Sequence, residues 1–454
     1  MKRKTFLKTS SALAMGSLLS PLSCTNKNMN TPATNNSTGI TRTNWSGNYA
    51  YQAKNLIEPE SIDQIPALIK KLDQQKALGT RHCFNNIADS PQNQISSRLL
   101  NKIIDIDEAA QTITVQSGTK YGELAPILQE RGFALHNLAS LPHISVAGAI
   151  STATHGSGVT NGNLATGIRA LKIVNTQGET ISLQRGEENF NGAVVGLGAL
   201  GFITELTLDI QPTYEVRQDL FQNLPVDSLV ENFDAIMSAG YSVSLFTDWL
   251  EQKVSQIWIK RRMDQQPEDM DPVFYGARAA TRNLHPITAL SADNCTEQLG
   301  VPGPWHERLP HFKMGFTPSS GAELQSEYFV PYENGVEAYL ALQKKASLIH
   351  PHLLISEIRT VAADQLWMSP CYKRKCAVFH FTWKPDWENV SRLLPIIEKE
   401  LAPFKVRPHW GKLFKIPPST LRGRYPRYND FVDLTRAFDP ERKFKNAYLD
   451  LNIY

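Results

Sequence analysis

The sequence is poor in cysteine, in long apolar runs and in net charge. Its five cysteines stand at positions 24, 83, 295, 371 and 376. If Cys24 is lost to processing or lipidated, the remaining four show no disulfide-framework spacing and leave room for one bridge. Cys371 and Cys376 are too far apart for a CxxC motif and have no neighbouring histidine pair, so they read as structural thiols and no metal site is expected. No segment beyond the N-terminal region reaches the roughly eighteen apolar residues that a transmembrane helix needs, so no integral membrane span is expected. Lys and Arg total 47 against 44 Asp and Glu, giving a formal net charge of +3. With no basic stripe or arginine-rich arm, nucleic acid is not an expected partner. What remains is an ordinary globular composition, 41% hydrophobic and 20% charged, in a 454-residue chain long enough for two or three domains.

Residues 1–24 read as a targeting segment: basic Lys2, Arg3, Lys4 and Lys8, an apolar run from Ser11 to Leu22, then Ser23-Cys24. Arg3-Lys4-Thr5-Phe6-Leu7-Lys8 resembles a twin-arginine export signal with lysine for the second arginine. Leu22-Ser23-Cys24 resembles a bacterial lipoprotein cleavage site, and a plain secretory signal cut near Cys24 fits as well. Export is expected on either reading, to the periplasm or to a lipid anchor at Cys24. Residues 25–43, rich in Asn, Thr and Ser, cannot offset their ordering entropy and read as a flexible tether.

The folded part begins near Asn44-Trp45. Ser61-Ile62-Asp63-Gln64 predicts a capped helix running to about Gln75, with Ile62, Ile65, Leu68, Ile69 and Leu72 on one face. The segments IIDID and TITVQSG predict a hairpin, a helix follows from about Tyr121 until Gly132 ends it, and LKIVN with ETISL predicts another hairpin across Thr176-Gln177-Gly178. Hairpins outweigh long crossovers, which indicates α+β and not a doubly wound sheet. Gly196-Leu197-Gly198-Ala199-Leu200-Gly201 matches the dinucleotide fingerprint G-x-G-x-x-G, but the segment after it, FITELTL, is rich in β-formers. The fingerprint needs a helix there, so a Rossmann site is not expected and the glycines serve a tight turn. Composition shifts from about Tyr214, where a second domain is placed.

Five segments carry chemistry. His82 sits in the small polar turn ALGTRHCFN, where a metal ligand, a buried structural histidine or a ligand contact would each fit. The run HNLASLPHISVAGAISTATHGSG, residues 136–158, combines Gly148, Gly156 and Gly158 with Ser145, Thr152, Thr154 and His155. It suits a phosphate held by backbone N–H groups, or a glycine-rich structural loop. In LISEIRT, Glu357 and Arg359 stand two apart and share a strand face. In VFHFTW, Phe379, Phe381 and Trp383 make a core face while His380 and Thr382 point the other way. Two strands that each turn out a polar pair describe a polar pocket over a packed sheet; either pair alone would also suit a surface salt bridge or a satisfied histidine. In HWGK, Lys412 lies among aromatics, not in a charge run.

Taken in order, GTRHCFNNIAD, NLASLPHISVAGAISTATHGSG, VSLFTDW, SEIRT, FHFTW and RPHWGKLF resemble the alditol oxidase (xylitol oxidase) branch of the vanillyl-alcohol-oxidase flavoprotein family, over essentially everything from Asn44 onward. The resemblance implies an α+β fold: a two-subdomain FAD-binding domain (44–213), a substrate cap with a large antiparallel sheet over the flavin (214–400), and a C-terminal segment returning to the active site (401–454). It implies FAD, bonded covalently to His82. FAD contacts are implied at Gly79, Thr80, Arg81, His82, Cys83, Phe84, Asn85, Ser140, Ser145, Gly148, Thr152, Ala153, Thr154, His155 and Ile203. Ser140, Glu357, Arg359, Thr382 and Lys412 are implied to hold a polyol, with Arg359, Lys412 and His380 catalytic. The family commonly has Gly or Ser near Arg81 and Cys83, so this chain departs from the pattern beside the implied linkage.

The expected reaction moves hydride from the terminal C1 hydroxyl carbon of an alditol to flavin N5, and dioxygen then takes the electrons to give hydrogen peroxide. Arg359 and Lys412 would stabilise the developing alkoxide, Glu357 and Thr382 would hold the lower hydroxyls, and His380 would take the proton. The alternatives are an aldonolactone oxidase, a polyol dehydrogenase with a non-oxygen acceptor, and, from another class, a non-catalytic exported sugar-binding lipoprotein.

Overall fold

The computed structural model describes residues 42–315 and 323–454. The targeting segment, Cys24 and the tether up to residue 41 lie outside the described residues. Near the start of the described residues Thr43 bridges Ala50, and Trp45 N–H donates to the Arg81 carbonyl.

The first half builds two small sheets and a short antiparallel pair, Phe133–Ala134 with Gln211–Pro212. Strands β1 (Asn55–Ile57), β2 (Gln75–Leu78) and β3 (Asn93–Ser96) form a parallel sheet in the order β1-β3-β2. Helix α1 (Ile65–Lys71) crosses between β1 and β2 and buries Ile65 and Ile69. It stops four residues short of the expected end. Leu72 turns extended, Gln74 adopts φ 45°, and Gln75 enters β2 with its side-chain amide donating to the carbonyls of Ile69 and Leu72. In this parallel unit crossover connections replace the expected hairpins.

The second small sheet holds β4 (Ile103–Asp107), β5 (Thr112–Gln116), β6 (Ile168–Val174), β7 (Thr180–Gln184) and β8 (Phe202–Asp209), antiparallel in the order β4-β5-β8-β6-β7. Both expected hairpins are here. Strand β8 buries every second residue, as a half-covered strand should. Because it follows Gly201 directly, the G-x-G-x-x-G run turns into a strand and not a helix; Gly201 takes φ 133°, and a Cβ there would lie 2.2 Å from the Val174 carbonyl oxygen. Helix α2 (Tyr121–Glu130) ends before Gly132, φ 79°, and α3 (Val146–Ser151) opens inside the glycine-rich run.

From Glu215 the chain builds a ten-stranded antiparallel sheet. Its long strands are β9 (Glu215–Pro225), β10 (Ser242–Thr247), β11 (Lys253–Arg262), β12 (Leu324–Pro331), β13 (Leu353–Val361) and β14 (Cys376–Trp383), with the short β15 (Arg407–Pro408) at one edge. The order is β9-β11-β10-β13-β14-β12-β15. One face packs on α4 (Gly335–Gln343) and α5 (Trp387–Leu401). Asp386 caps α5 by accepting from Asn389 N–H, and Val390, Leu393, Leu394, Ile397 and Leu401 form its buried stripe. Phe381 stacks on Trp383 at 4.9 Å and on Trp249 at 6.2 Å on that face. The opposite face of β14 carries His380 and Thr382, as the period-two pattern requires. Cys83, Cys295, Cys371 and Cys376 are all free. Among the described residues, no helix is long and apolar enough to cross a membrane.

Candidate active site

A single cavity of about 710 Å³ runs from the glycine-rich turns of the first half to the polar face of the large sheet. At one end the ALGTRHCFN turn forms its wall. Gly79 and Gly148 face each other across Ser145, and a Cβ on either would come 2.8 or 2.9 Å from the Ser145 hydroxyl. Gly198 lies beside the buried Lys76, whose Nζ donates to the Gly198 carbonyl at 2.7 Å. The hydroxyls of Ser117, Thr119 and Ser145 are buried without a hydrogen-bond partner. Donors left open around a glycine-lined cradle suit a phosphate-bearing cofactor.

His82 reaches further along the same cavity. Its ring stacks on Trp45, with centroids 5.2 Å apart, and Nδ1 lies 3.0 Å from the Thr80 hydroxyl. Nε2 is buried and has no partner. Burial, with His143 next, pushes the imidazole down to about 4, so the ring is neutral at pH 7. The turn is tight: Arg81 adopts φ 66°, a left-handed conformation that favours glycine. Burial pushes the neighbouring Cys83 thiol up to about 12.

At the other end, strand pairing assembles the polar cluster. Glu327 on β12 faces His380 on β14, and His380 faces Glu357 on β13, so three titratable side chains share one row across the sheet. Glu327 is 1% exposed. Its Oε1 lies 2.5 Å from Arg359 Nη2, 3.4 Å from His155 Nε2 and 3.8 Å from His380 Nδ1, and its Oε2 lies 2.8 Å from Lys412 Nζ. Burial alone would push the Glu327 carboxyl up; Lys412, His155 and Arg359 outweigh it and hold the group well below the usual carboxylate range. Glu357 behaves alike, with Arg359 and His311 overcoming burial. Burial, and then the Lys412 charge, push His380 well below its ordinary value. The site therefore holds two carboxylates, Arg359, Lys412 and neutral imidazoles. Arg359 Nε and His380 Nδ1 are buried without a hydrogen-bond partner, and the cavity beside them is where a ligand would supply one.

The C-terminal segment closes the cluster. His409 N–H donates to the Glu327 carbonyl at 3.0 Å, which aligns HWGK against β12, and the Asn85 side-chain amide donates to the carbonyls of Trp410 and Lys412 at 2.8 Å each. The cofactor turn and the Lys412 segment are thus tied directly together.

Of the expected site residues, Gly79, Thr80, Arg81, His82, Cys83, Phe84, Ser140, Gly148, Thr152, Thr154, His155, Ile203, Glu357, Arg359, His380, Thr382 and Lys412 all line this one cavity. Asn85, Ser145 and Ala153 stand behind the lining: Asn85 pins Lys412, Ser145 backs the two glycines, and Ala153 supplies a φ 58° turn. Sequence reasoning missed Lys76, Gln325, Glu327, His311 and His409, which also line it. A charged residue amid apolar neighbours in LQSEYFVP was the available signal for Glu327.

Comparison with known proteins agrees with the geometry. Residues 53–184 match the family model for the FAD binding domain and residues 321–452 that for D-arabinono-1,4-lactone oxidase. Alditol oxidase of Streptomyces sp. is 46% identical over 410 residues, covering 90% of this chain and 97% of that protein. The chain belongs to the FAD-linked oxidase family, in its alditol oxidase branch. It is an FAD-dependent oxidoreductase, and the glycine cradle, the open hydroxyls and the unpartnered His82 Nε2 fit that cofactor. More distant relatives are the L-gulono-1,4-lactone dehydrogenase of Mycobacterium tuberculosis, 28% identical over 89% of this chain and 97% of that one, and the L-gulonolactone oxidase of Mus musculus, 24% identical over 92% and 99%. Among solved structures, cholesterol oxidase from B. sterolicum superposes with a TM-score of 0.74 at 13% identity, covering 91% of this chain and 96% of that one. This likeness shows the fold: a two-subdomain FAD-binding unit with a large antiparallel sheet.

Proposed function

We propose that the enzyme oxidises the terminal C1 hydroxyl of an alditol such as xylitol or sorbitol to the aldose. The observation that carries this reading is the buried row Glu327, His380 and Glu357 with Arg359 and Lys412, facing the cavity whose other end is the cofactor cradle. FAD held in the cradle around Gly79, Gly148 and His82 would supply the hydride acceptor, with dioxygen as the final electron acceptor and hydrogen peroxide as its product. Arg359 and Lys412 receive the C1 oxygen and lower the pKa of its hydroxyl, because two cations in a low-dielectric site favour the alkoxide. His380 takes the proton: its ring is neutral, and its depressed pKa makes transfer depend on the two cations. Ser140, whose hydroxyl lies 3.5 Å from Arg359 Nη1, orients the guanidinium, while Glu357 and Thr382 hold the lower hydroxyls and so align C1.

His82 is the proposed covalent anchor for FAD, with Nε2 as the atom free to bond when Nδ1–H donates to the Thr80 hydroxyl. In the same reading residues 44–213 hold FAD, 214–400 the polyol, and 401–454 bring Lys412 back. Residues 1–24 direct export, with Cys24 as the lipid attachment site. A second reading, oxidation of an aldonolactone, is favoured by the match of residues 321–452 to the lactone oxidase model. Purified holoenzyme offered xylitol, sorbitol and an aldonolactone, with and without oxygen, separates them. The alditol reading expects polyol-dependent peroxide and flavin fluorescence that stays with the protein band on a denaturing gel. Flavin bleaching by the lactone alone would replace it.

A further inference from the structure

Lys260 lies inside β11, 1% exposed, where a lysine is costly to bury. Its Nζ has three acceptors: the carbonyl oxygens of Leu309 at 2.5 Å and Pro310 at 3.1 Å, and His311 Nδ1 at 3.1 Å. Burial pulls the Lys260 amine down to about 7, so the direction of the third bond is fixed from the other side of the ring: Glu357 Oε1, a carboxylate oxygen that only accepts, faces His311 Nε2, which therefore carries the proton and leaves Nδ1 as the acceptor from Lys260. Burial, and next the Lys260 charge, hold His311 at about 4, so its ring is neutral and its single proton sits on Nε2. That nitrogen lies 2.8 Å from Glu357 Oε1. The ring is fixed edge-on between Phe246, at 5.6 Å, and Trp258, at 5.2 Å, and the His311 backbone N–H donates to the Ser140 carbonyl at 3.1 Å. Glu357 Oε1 is thereby committed to His311, with Arg359 Nε at 3.6 Å, and no protein hydrogen bond reaches Oε2 from the described residues.

We propose that Lys260 and His311 are positioning residues that hold Glu357 Oε2 toward the cavity as an acceptor for substrate hydroxyls beyond C2, and so set the preference for polyols over short diols. The inference rests on the reading of Glu357 as the site of the lower hydroxyls. It adds the element that orients Glu357 and gives that element a role in substrate choice.

The test compares anaerobic flavin reduction in wild-type, Lys260→Met, His311→Phe and His311→Gln holoenzymes, with xylitol and with 1,2-propanediol, which has no hydroxyl beyond C2. Loss of a charge-assisted hydrogen bond should raise the half-saturating xylitol concentration about tenfold or more in Lys260→Met and His311→Phe. The saturating rate should stay within about threefold, and 1,2-propanediol should be nearly unaffected. Gln at 311 can still donate to Glu357 and should recover part of the xylitol affinity. In a Glu357→Gln background, Lys260→Met should add almost nothing, because the pair acts through that carboxylate. Equal losses with both substrates, or no loss in variants with normal flavin absorbance, overturn the proposal. If Lys260→Met does not fold, the contrast between Phe and Gln at 311 decides. A wild-type enzyme that no polyol reduces overturns the reading of Glu357 itself, a result distinct from failure of the pair.

Discussion

Replacing Glu327 by Gln keeps the side chain's shape and removes one negative charge from the centre of the polar cluster. Lys412, 2.8 Å away, would lose its counter-ion, while Arg359 would keep Glu357 at 3.6 Å. At an effective dielectric constant of about 20, one charge pair at that first distance is worth roughly 6 kcal/mol. Breaking a buried pair in practice costs about 3–5 kcal/mol, since part of the attraction only offsets desolvation. A folded body of about 400 residues unfolds with an entropy near 0.9 kcal/mol/K, so Tm should fall by about 3–6 °C. Lys412 without its anchor should also stop meeting the substrate oxygen, and flavin reduction should slow by about 100-fold, the scale for losing one oxyanion donor. Thermal melts followed by circular dichroism, with anaerobic stopped-flow reduction by xylitol, measure both effects. A Glu327→Gln enzyme that melts within 1 °C of wild type (about 1 kcal/mol on this scale) and reduces its flavin at the wild-type rate would refute the reasoning.

Other expectations follow from single sites. Lys412→Met should slow flavin reduction by about 10²–10³-fold at saturating polyol while leaving the FAD absorbance and the fold intact, and an unchanged rate removes Lys412 from the mechanism. His82→Ala should lose flavin fluorescence from the protein band after acid precipitation; retention places the anchor elsewhere. Arg81→Gly relieves a left-handed non-glycine residue, φ 66°, and should stabilise the fold by up to about 1 kcal/mol, read as a Tm rise near 1 °C. His311 is held at about 4, below its unfolded value near 6.5, so the unfolded chain binds its proton first and stability falls as pH drops through that window. From pH 6.5 to 4.5 wild type should lose about 2 kcal/mol more than His311→Phe; parallel acid-unfolding curves would show that the imidazole is not held neutral.

What the sequence disclosed was set by how far each feature depends on its neighbours in the chain. Glu357 with Arg359, and His380 with Thr382, were legible because a strand's period of two puts residues two apart on one face, whatever lies beside that strand. The same rule located the Phe381 and Trp383 core. The G-x-G-x-x-G run could be set aside because its successor, Phe202–Asp209, alternates as a strand does. Glu327 stood out only as a charge within LQSEYFVP; its place between Lys412 and Arg359 depends on β12 lying next to β14 and on β15 pairing with β12, which no local pattern encodes. Lys260 and His311 were hidden for the same reason, as they meet 51 residues apart in sequence through loop carbonyls. The overlong α1 shows the opposite error: helical periodicity continued through Leu72, but the pull of Gln75 into a parallel strand ended the helix first.

If C1 of an alditol held by Arg359 and Lys412 gives its hydride to FAD, breaking a terminal C–H bond governs flavin reduction. The direct measurement is anaerobic mixing of the holoenzyme with xylitol bearing protium or deuterium on its terminal carbons, followed at the flavin absorbance band. Rapid bleaching is expected, slowed severalfold by deuterium as when a C–H bond breaks in the observed step, with one aldose formed per flavin. A flavin that stays oxidised with every alditol offered, or that bleaches with no isotope effect and no aldose, would contradict it.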